Sequence, residues 1–143
     1  MTVAGILSRK GRKVVTISSK KSISEAIAEL ARHKIGALVV SEGGDRISGI
    51  ISERDIVRAL SQHGAQALDR PVAEIMTRNV VTCSERDTVA DLMERMTEGK
   101  FRHIPVVEQG KLAGIISIGD VVKRRVEELE HDGEALQDYI RTA

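Results

Sequence analysis

The hydrophobic pattern predicts an amphipathic helix at matching places in the two halves of the chain. Apolar residues recur at helical spacing over residues 23–31 and again over residues 89–96. Ser22 and Thr88 stand directly before these segments, and each is followed three positions later by an acidic residue. That arrangement is typical of a capping box. The two halves therefore carry the same helix-start signal.

Short apolar runs bounded by turn residues predict three strands in each half. We expect them over residues 14–17, 37–40 and 47–51 in the first half, and over residues 80–83, 103–107 and 112–116 in the second. A second helix is predicted after Ser52 and after Ser117, ending near Gln62 and Glu130 respectively. Each half thus has the order β-α-β-β-α.

Similar blocks recur in the same order, so the chain is an internal repeat. Residues 3–9 are similar to 72–78, residues 14–16 to 80–82, and residues 49–57 to 114–122. A unit of about 60 residues is marginal alone, and we expect the two copies to bury their sheets against each other. The fold class is α/β (α+β). The predicted boundaries are 3–63 for the first repeat, 64–71 for a linker, 72–130 for the second repeat and 131–143 for a C-terminal tail.

The strongest chemical signal is the strand-to-helix junction Gly-Ile-Ile-Ser-x-x-Asp, which occurs twice. It places Ser52 with Asp55 and Ser117 with Asp120 at a helix start. One interpretation is helix capping alone. The other adds a ligand: a carboxylate there repels phosphate but can accept hydrogen bonds from a vicinal diol, as in dinucleotide-binding folds. Ribose recognition fits the two aspartates better than phosphate or metal binding does.

A second signal is the basic pair Arg102 and His103 at the entrance to an apolar strand. Such residues are often solvated, but opposite a ribose-binding aspartate they could hold phosphate oxygens. The first copy has Gly36 and Ala37 at the matching positions. The two pockets are therefore predicted to differ.

Composition narrows the function classes. The net charge is +1, and only two aromatic residues are present, which disfavours stacking platforms for single-stranded nucleic acid. The single cysteine, Cys83, cannot form an internal disulfide. No apolar run approaches the roughly 20 residues of a membrane span. We expect a soluble, cytoplasmic protein that does not bind a membrane.

The repeated Gly-Ile-Ile-Ser-x-x-Asp motif, together with Arg-His-Ile-Pro-Val-Val in the second copy, resembles a tandem pair of CBS (cystathionine β-synthase) domains. The resemblance covers about residues 3–130. It implies a stand-alone regulatory module with pseudo-twofold symmetry and two clefts that bind AMP, ADP, ATP, NAD(H) or S-adenosylmethionine. It also implies a homodimer and no required metal. No enzyme, channel or transporter segment accompanies the pair, so we expect action in trans on an unknown partner.

The resemblance also implies which residues contact the ligand. One cleft would contain Thr16, Ala37, Leu38, Arg102, His103, Ser117 and Asp120. The other would contain Ser52, Arg54, Asp55, Thr82, Ile104 and Pro105. Arg102 and His103 are the phosphate candidates, and we expect the Asp120 cleft to be the principal one.

Three other functions stay open at this point. A ligand-free interaction module would bind a partner through its helices or tail. A nucleic-acid binder would use the basic runs at residues 9–21 or 123–125, although such runs are more often solvated faces. Catalysis has the least support, because no nucleophile–base pair, metal-ligand spacing or P-loop is present.

Overall fold

The computed structural model describes residues 1–142 and confirms the mixed α and β fold class. The first half contains α1 (Val3–Lys10), β1 (Thr16–Ile17), α2 (Ile23–His33), β2 (Ala37–Val40), β3 (Gly49–Ser52) and α3 (Glu53–His63). A 3₁₀ helix (Gly64–Asp69) follows. The second half contains α4 (Val72–Ile75), α5 (Val89–Gly99), β4 (His103–Glu108), β5 (Lys111–Ser117) and α6 (Ile118–Thr142).

The predicted capping boxes of α2 and α5 are confirmed, and α3 has one as well. The Ser22 hydroxyl accepts a hydrogen bond from the Glu25 amide at 3.1 Å, and the Glu25 carboxylate accepts one from the Ser22 amide at 2.9 Å. Thr88 pairs with Asp91 in the same way. These contacts satisfy amides that helix starts leave without partners, which explains why the helices begin where the sequence predicts.

The two sheets are less alike than the repeat predicts. The first has the order β1-β2-β3, with β1 parallel to β2 and β2 antiparallel to β3. The second is the antiparallel pair β4-β5 alone. The strand predicted over residues 80–83 is wrong: only Cys83 forms a bridge, to Val106. Val80 and Val81 line a cavity instead and do not pair with β4.

The linker and the tail are also more ordered than the sequence predicts. The segment predicted as a linker forms the 3₁₀ helix, and its Ala67 is fully buried. Helix α6 does not end near Glu130 but continues to Thr142, through most of the predicted tail. Gly133 does not interrupt it, because a glycine inside a helix costs only about 1 kcal/mol. Ala143 lies outside the described residues.

The core consists of two clusters, and β2 is buried on both of its faces. One cluster joins β4, β5, α5 and the start of α6 with Val3, Ile6 and Leu7 of α1. The other joins the first sheet, α2 and α3 with Val72 of α4 and with Met76, the residue directly after α4. Each copy therefore completes its core with the first helix of the other copy. This exchange holds the two halves together.

Candidate functional site

A cavity with a volume of about 670 Å³ lies beside Asp55, within the roughly 300–1,000 Å³ range of ligand pockets. Three segments build it: the β3–α3 junction, the extended chain after α4, and the α5–β4 junction. Its lining residues are Gly36, Ile50, Ser52, Glu53, Arg54, Asp55, Arg58, Thr77, Asn79, Val80, Val81, Gly99, Lys100, Phe101, Arg102 and His103.

The start of α3 orients the Asp55 carboxylate. Its Oδ2 atom accepts hydrogen bonds from the Ser52 amide at 2.9 Å and the Ser52 hydroxyl at 3.1 Å. Its Oδ1 atom accepts only a long 3.5 Å contact from the Thr77 hydroxyl. One carboxylate oxygen is thus used for capping, while the other retains acceptor capacity toward the cavity. This arrangement can take a hydroxyl donor from a ligand.

The cavity wall is rich in cations. Arg54, Arg58, Lys100 and Arg102 line it, against the two carboxylates Glu53 and Asp55. The Arg54 guanidinium donates to the Lys100 carbonyl at 3.0 Å, which fixes it on the wall between α3 and the end of α5. The cavity wall therefore carries a net positive charge, which suits the binding of phosphate oxygens.

His103 lies between the two halves of the molecule. Burial lowers the pKa of its imidazole despite the nearby Glu53 carboxylate, so the ring is neutral at neutral pH. Its ring occupies the space above Gly36, where an added Cβ would lie 3.2 Å from Cε1 of the imidazole. The small residue in the first copy therefore makes room for the histidine of the second. A neutral imidazole can donate or accept one hydrogen bond at the cavity wall.

The sequence-predicted residues of the Asp55 cleft separate into two groups. Ser52, Arg54 and Asp55 line the cavity as expected from their motif, whereas Thr82 is exposed and outside the lining. Ile104 and Pro105 are buried in β4. The structure instead adds residues that the sequence interpretation missed: Gly36, Ile50, Glu53, Arg58, Thr77, Asn79, Val80, Val81, Gly99, Lys100 and Phe101. The four-residue spacing of Arg54 and Arg58 on one helix face is the signal that could have indicated Arg58.

Arg102 and His103 line the Asp55 cavity, although they are predicted for the Asp120 cleft. Of the other residues predicted for that cleft, Ala37 and Leu38 are buried in β2, and Thr16 is exposed in the neighbouring β1. Ser117 pairs with His103 across β4 and β5. Whether any of these side chains contacts a ligand stays a prediction.

Asp120 already has an internal partner. Its Oδ2 atom lies 2.6 Å from the Lys10 ammonium and accepts from the Ser117 amide at 2.9 Å. Burial by itself would raise the pKa of Asp120, but the hydrogen bonds from Lys10 and Ser117 outweigh it and lower that pKa. The adjacent cavity has a volume of only about 170 Å³. The two aspartates of the repeat are therefore in different environments.

The part of the chain that the structure describes, residues 1–142, contains no group of three histidine, cysteine or acidic side chains placed to hold a metal ion. None of its helices is long and apolar enough to cross a membrane.

Comparison with known proteins identifies the family. The CBS domain model matches residues 3–62 and 72–127. An uncharacterised 17.7 kDa protein from Acidianus ambivalens is 39% identical over 112 residues, which are 78% of this chain and 66% of that protein, just under two thirds of its length. The mitochondrial CBS domain-containing protein CBSX3 of Arabidopsis thaliana is 30% identical over 148 residues, covering 98% of this chain and 72% of that protein.

Solved structures agree with this match. The CBS-domain containing protein ATU1752 from Agrobacterium tumefaciens has a TM-score of 0.86 and 52% identity, covering 87% of this chain and 99% of that one. The CBS domain pair of MJ0100, in complex with 5'-methylthioadenosine and S-adenosyl-L-methionine, has a TM-score of 0.79 and 29% identity over 90% of this chain and 98% of that one. PAE2072 from Pyrobaculum aerophilum, complexed with AMP, has a TM-score of 0.73 and 31% identity, covering 84% of this chain and 89% of that one. With two matched copies and this shared fold, the chain belongs to the CBS domain family.

Proposed function

We propose that this CBS pair is a regulatory module that binds an adenine nucleotide in the Asp55 cavity and acts in trans on a partner protein, without catalysing a reaction. The observation that carries this proposal is the meeting, in one cavity of about 670 Å³, of a carboxylate acceptor and four cationic side chains. The AMP in PAE2072 and the adenosine derivatives in MJ0100 support a ligand of the adenosine type.

Each part of the cavity has a proposed role. Asp55 accepts hydrogen bonds from the ribose hydroxyls through its Oδ1 atom. Val80 and Val81 give the base an apolar contact on the extended segment after α4. Arg54 and Arg102 bind phosphate. No protein-bound metal is needed, because the cations are supplied by side chains.

The charge of the cavity favours a phosphorylated ligand over the alternatives. AMP, ADP, ATP and NAD(H) all carry negative phosphate groups. S-adenosylmethionine carries a sulfonium cation, and 5'-methylthioadenosine has no phosphate. The cavity has four cationic side chains against two carboxylates, so it attracts the ligands that carry phosphate. It offers nothing specific to S-adenosylmethionine or 5'-methylthioadenosine. We therefore propose AMP, ADP or ATP as the ligand class, with NAD(H) next in order.

A nucleotide panel tests this proposal. AMP, ADP, ATP, NAD, S-adenosylmethionine and 5'-methylthioadenosine are added separately, and the thermal midpoint is followed against ligand concentration. An adenine nucleotide at about 100 times its Kd is expected to add about 2.7 kcal/mol to the free energy of unfolding, because it binds only the native state. A larger shift with S-adenosylmethionine would contradict the charge argument. No shift with any ligand would favour the interaction-module alternative instead.

We also propose that the protein forms a homodimer through α6. Val122, Val126, Leu129, Leu136 and Ile140 are between 46% and 64% exposed. Their positions follow a heptad pattern, in which Gly133 occupies the remaining place, so they form one apolar stripe along the helix. In a parallel pair, the heptad positions flanking this stripe place Arg125 of one copy opposite Glu130 of the other, and the charges are complementary. A second copy of this chain therefore fits the stripe.

Leu129→Glu is expected to convert the dimer to a monomer, because it places a carboxylate in the middle of the apolar stripe. Sedimentation velocity measures the change. His131→Glu is the matched control, since it introduces the same side chain at an exposed position of α6 that does not belong to the apolar stripe. A wild-type protein that sediments as a monomer at all concentrations would refute the dimer proposal.

The cytoplasm remains the proposed location. Cys83 is a free cysteine, and burial raises the pKa of its thiol to about 12. Such a thiol is protonated and unreactive at neutral pH, which is compatible with a structural role in a reducing compartment.

A further inference from the structure

Two equivalent carbonyl groups of the repeat accept hydrogen bonds from different donors. In the first copy, the Ile50 carbonyl accepts from the Thr77 backbone amide at 2.8 Å. In the second copy, the Ile115 carbonyl accepts from the Lys10 ammonium at 3.0 Å. Ile50 and Ile115 occupy the same place in the repeated motif. The Lys10 side chain thus donates the hydrogen bond that the Thr77 backbone donates in the first copy.

The same ammonium group also binds the aspartate. It lies 2.6 Å from Oδ2 of Asp120, and the side chains are only 32% and 22% exposed. The equivalent Asp55 forms no ion pair within residues 1–142: its Oδ2 atom accepts from Ser52, and the Thr77 hydroxyl approaches its Oδ1 atom at 3.5 Å. A charge-assisted hydrogen bond is about twice as strong as a neutral one, so a ribose hydroxyl does not displace the ammonium readily.

The different lengths of the exchanged helices explain this asymmetry. Helix α4 ends at Ile75 after four residues, and the chain then runs extended past β3 and leaves space above Asp55. Helix α1 has eight residues, and its second turn places Lys10 over the β5–α6 junction. The cavity that Lys10 and Asp120 line between α1 and α6 has a volume of about 170 Å³, below the roughly 300 Å³ of small ligand pockets.

We propose that Lys10 is a built-in occupant of the second ribose site, and that it restricts this chain to one nucleotide, bound beside Asp55. Asp120 then serves as the counter-ion of Lys10. The proposal rests on the proposed function for the identity of the ligand. It assigns Lys10 as the residue that determines binding stoichiometry, and it explains how a duplicated motif can give a single site.

Calorimetric titration with ATP and with AMP tests the stoichiometry. The wild-type protein is expected to bind one nucleotide per chain, and Lys10→Ala to bind two, the second more weakly. The double variant Lys10→Ala/Asp55→Ala is expected to keep only the weaker event. Lys13→Ala is the matched control, because Lys13 is an exposed lysine of the same segment, and it should keep one site. Two nucleotides per wild-type chain, or a single one in Lys10→Ala, would overturn the proposal.

A second measurement does not depend on any nucleotide. Carbon-detected NMR titration follows the Asp120 carboxyl group in the free protein. Lys10→Ala is expected to raise the pKa of Asp120, because the ammonium that stabilises the carboxylate is lost, whereas Lys13→Ala leaves it unchanged. An unchanged pKa in Lys10→Ala would refute the ion pair. If this pKa rises but the wild-type protein binds no nucleotide, the proposed function fails while the pairing of Lys10 with Asp120 stands.

Discussion

Asp55→Ala is expected to weaken adenine-nucleotide binding roughly 10- to 150-fold. In the proposed function the Oδ1 atom of Asp55 accepts from a ribose hydroxyl, and a hydrogen bond to a charged group contributes about 1.5–3 kcal/mol. Isothermal calorimetry with AMP and ATP measures the loss. The reduction should be similar for both nucleotides, because both carry the same ribose.

The control for this variant is Asp91→Ala. Asp91 has the same place in the capping box of α5 that Asp55 has in α3, but it lies outside the cavity. Both variants lose one capping acceptor and should lose similar stability, about 1 kcal/mol. Only Asp55→Ala should lose affinity. Equal affinities in the two variants would show that the motif serves helix capping alone.

Gly49→Ala is expected to destabilise the protein by about 1–3 kcal/mol. A Cβ at this position would lie 2.7 Å from the Thr77 carbonyl oxygen and 2.8 Å from the Met76 sulfur. The carbonyl belongs to the backbone segment that pairs with Ile50, so it cannot move without breaking that pairing. Chemical denaturation measures the change in the free energy of unfolding.

Two glycines provide graded controls for Gly49→Ala. Gly114→Ala is the equivalent change in the second copy, where the nearest atom is a Leu7 methyl at 2.6 Å. A leucine side chain can rotate, so this variant should cost less. Gly133→Ala in α6 meets nothing within 4 Å and should be neutral or slightly stabilising. If Gly114→Ala costs as much as Gly49→Ala, backbone contact is not the cause of the loss.

Local signals in the sequence determined the repeat and most of its helices, whereas the cleft that the sequence favoured, beside Asp120, is the one that Lys10 occupies. Hydrophobic spacing and caps act between residues three or four positions apart, so Ser22 and Thr88 were sufficient to predict two helix starts. The same reasoning found Ser52 and Asp55, because the motif that caps α3 is also the motif that faces the cavity. The family followed from the order and duplication of these motifs.

Only the tertiary structure decided how the two copies complete each other and which cleft is open. The first helices exchange between the copies, which depends on contacts between residues about 100 positions apart in sequence, such as Leu7 with Gly114. The same exchange brings Lys10 to Asp120 and places Arg102 and His103 in the lining of the Asp55 cavity. Spacing along the chain does not encode such contacts, because they depend on where each helix ends in space. Two equal motifs in the sequence thus become one open cavity and one ion pair.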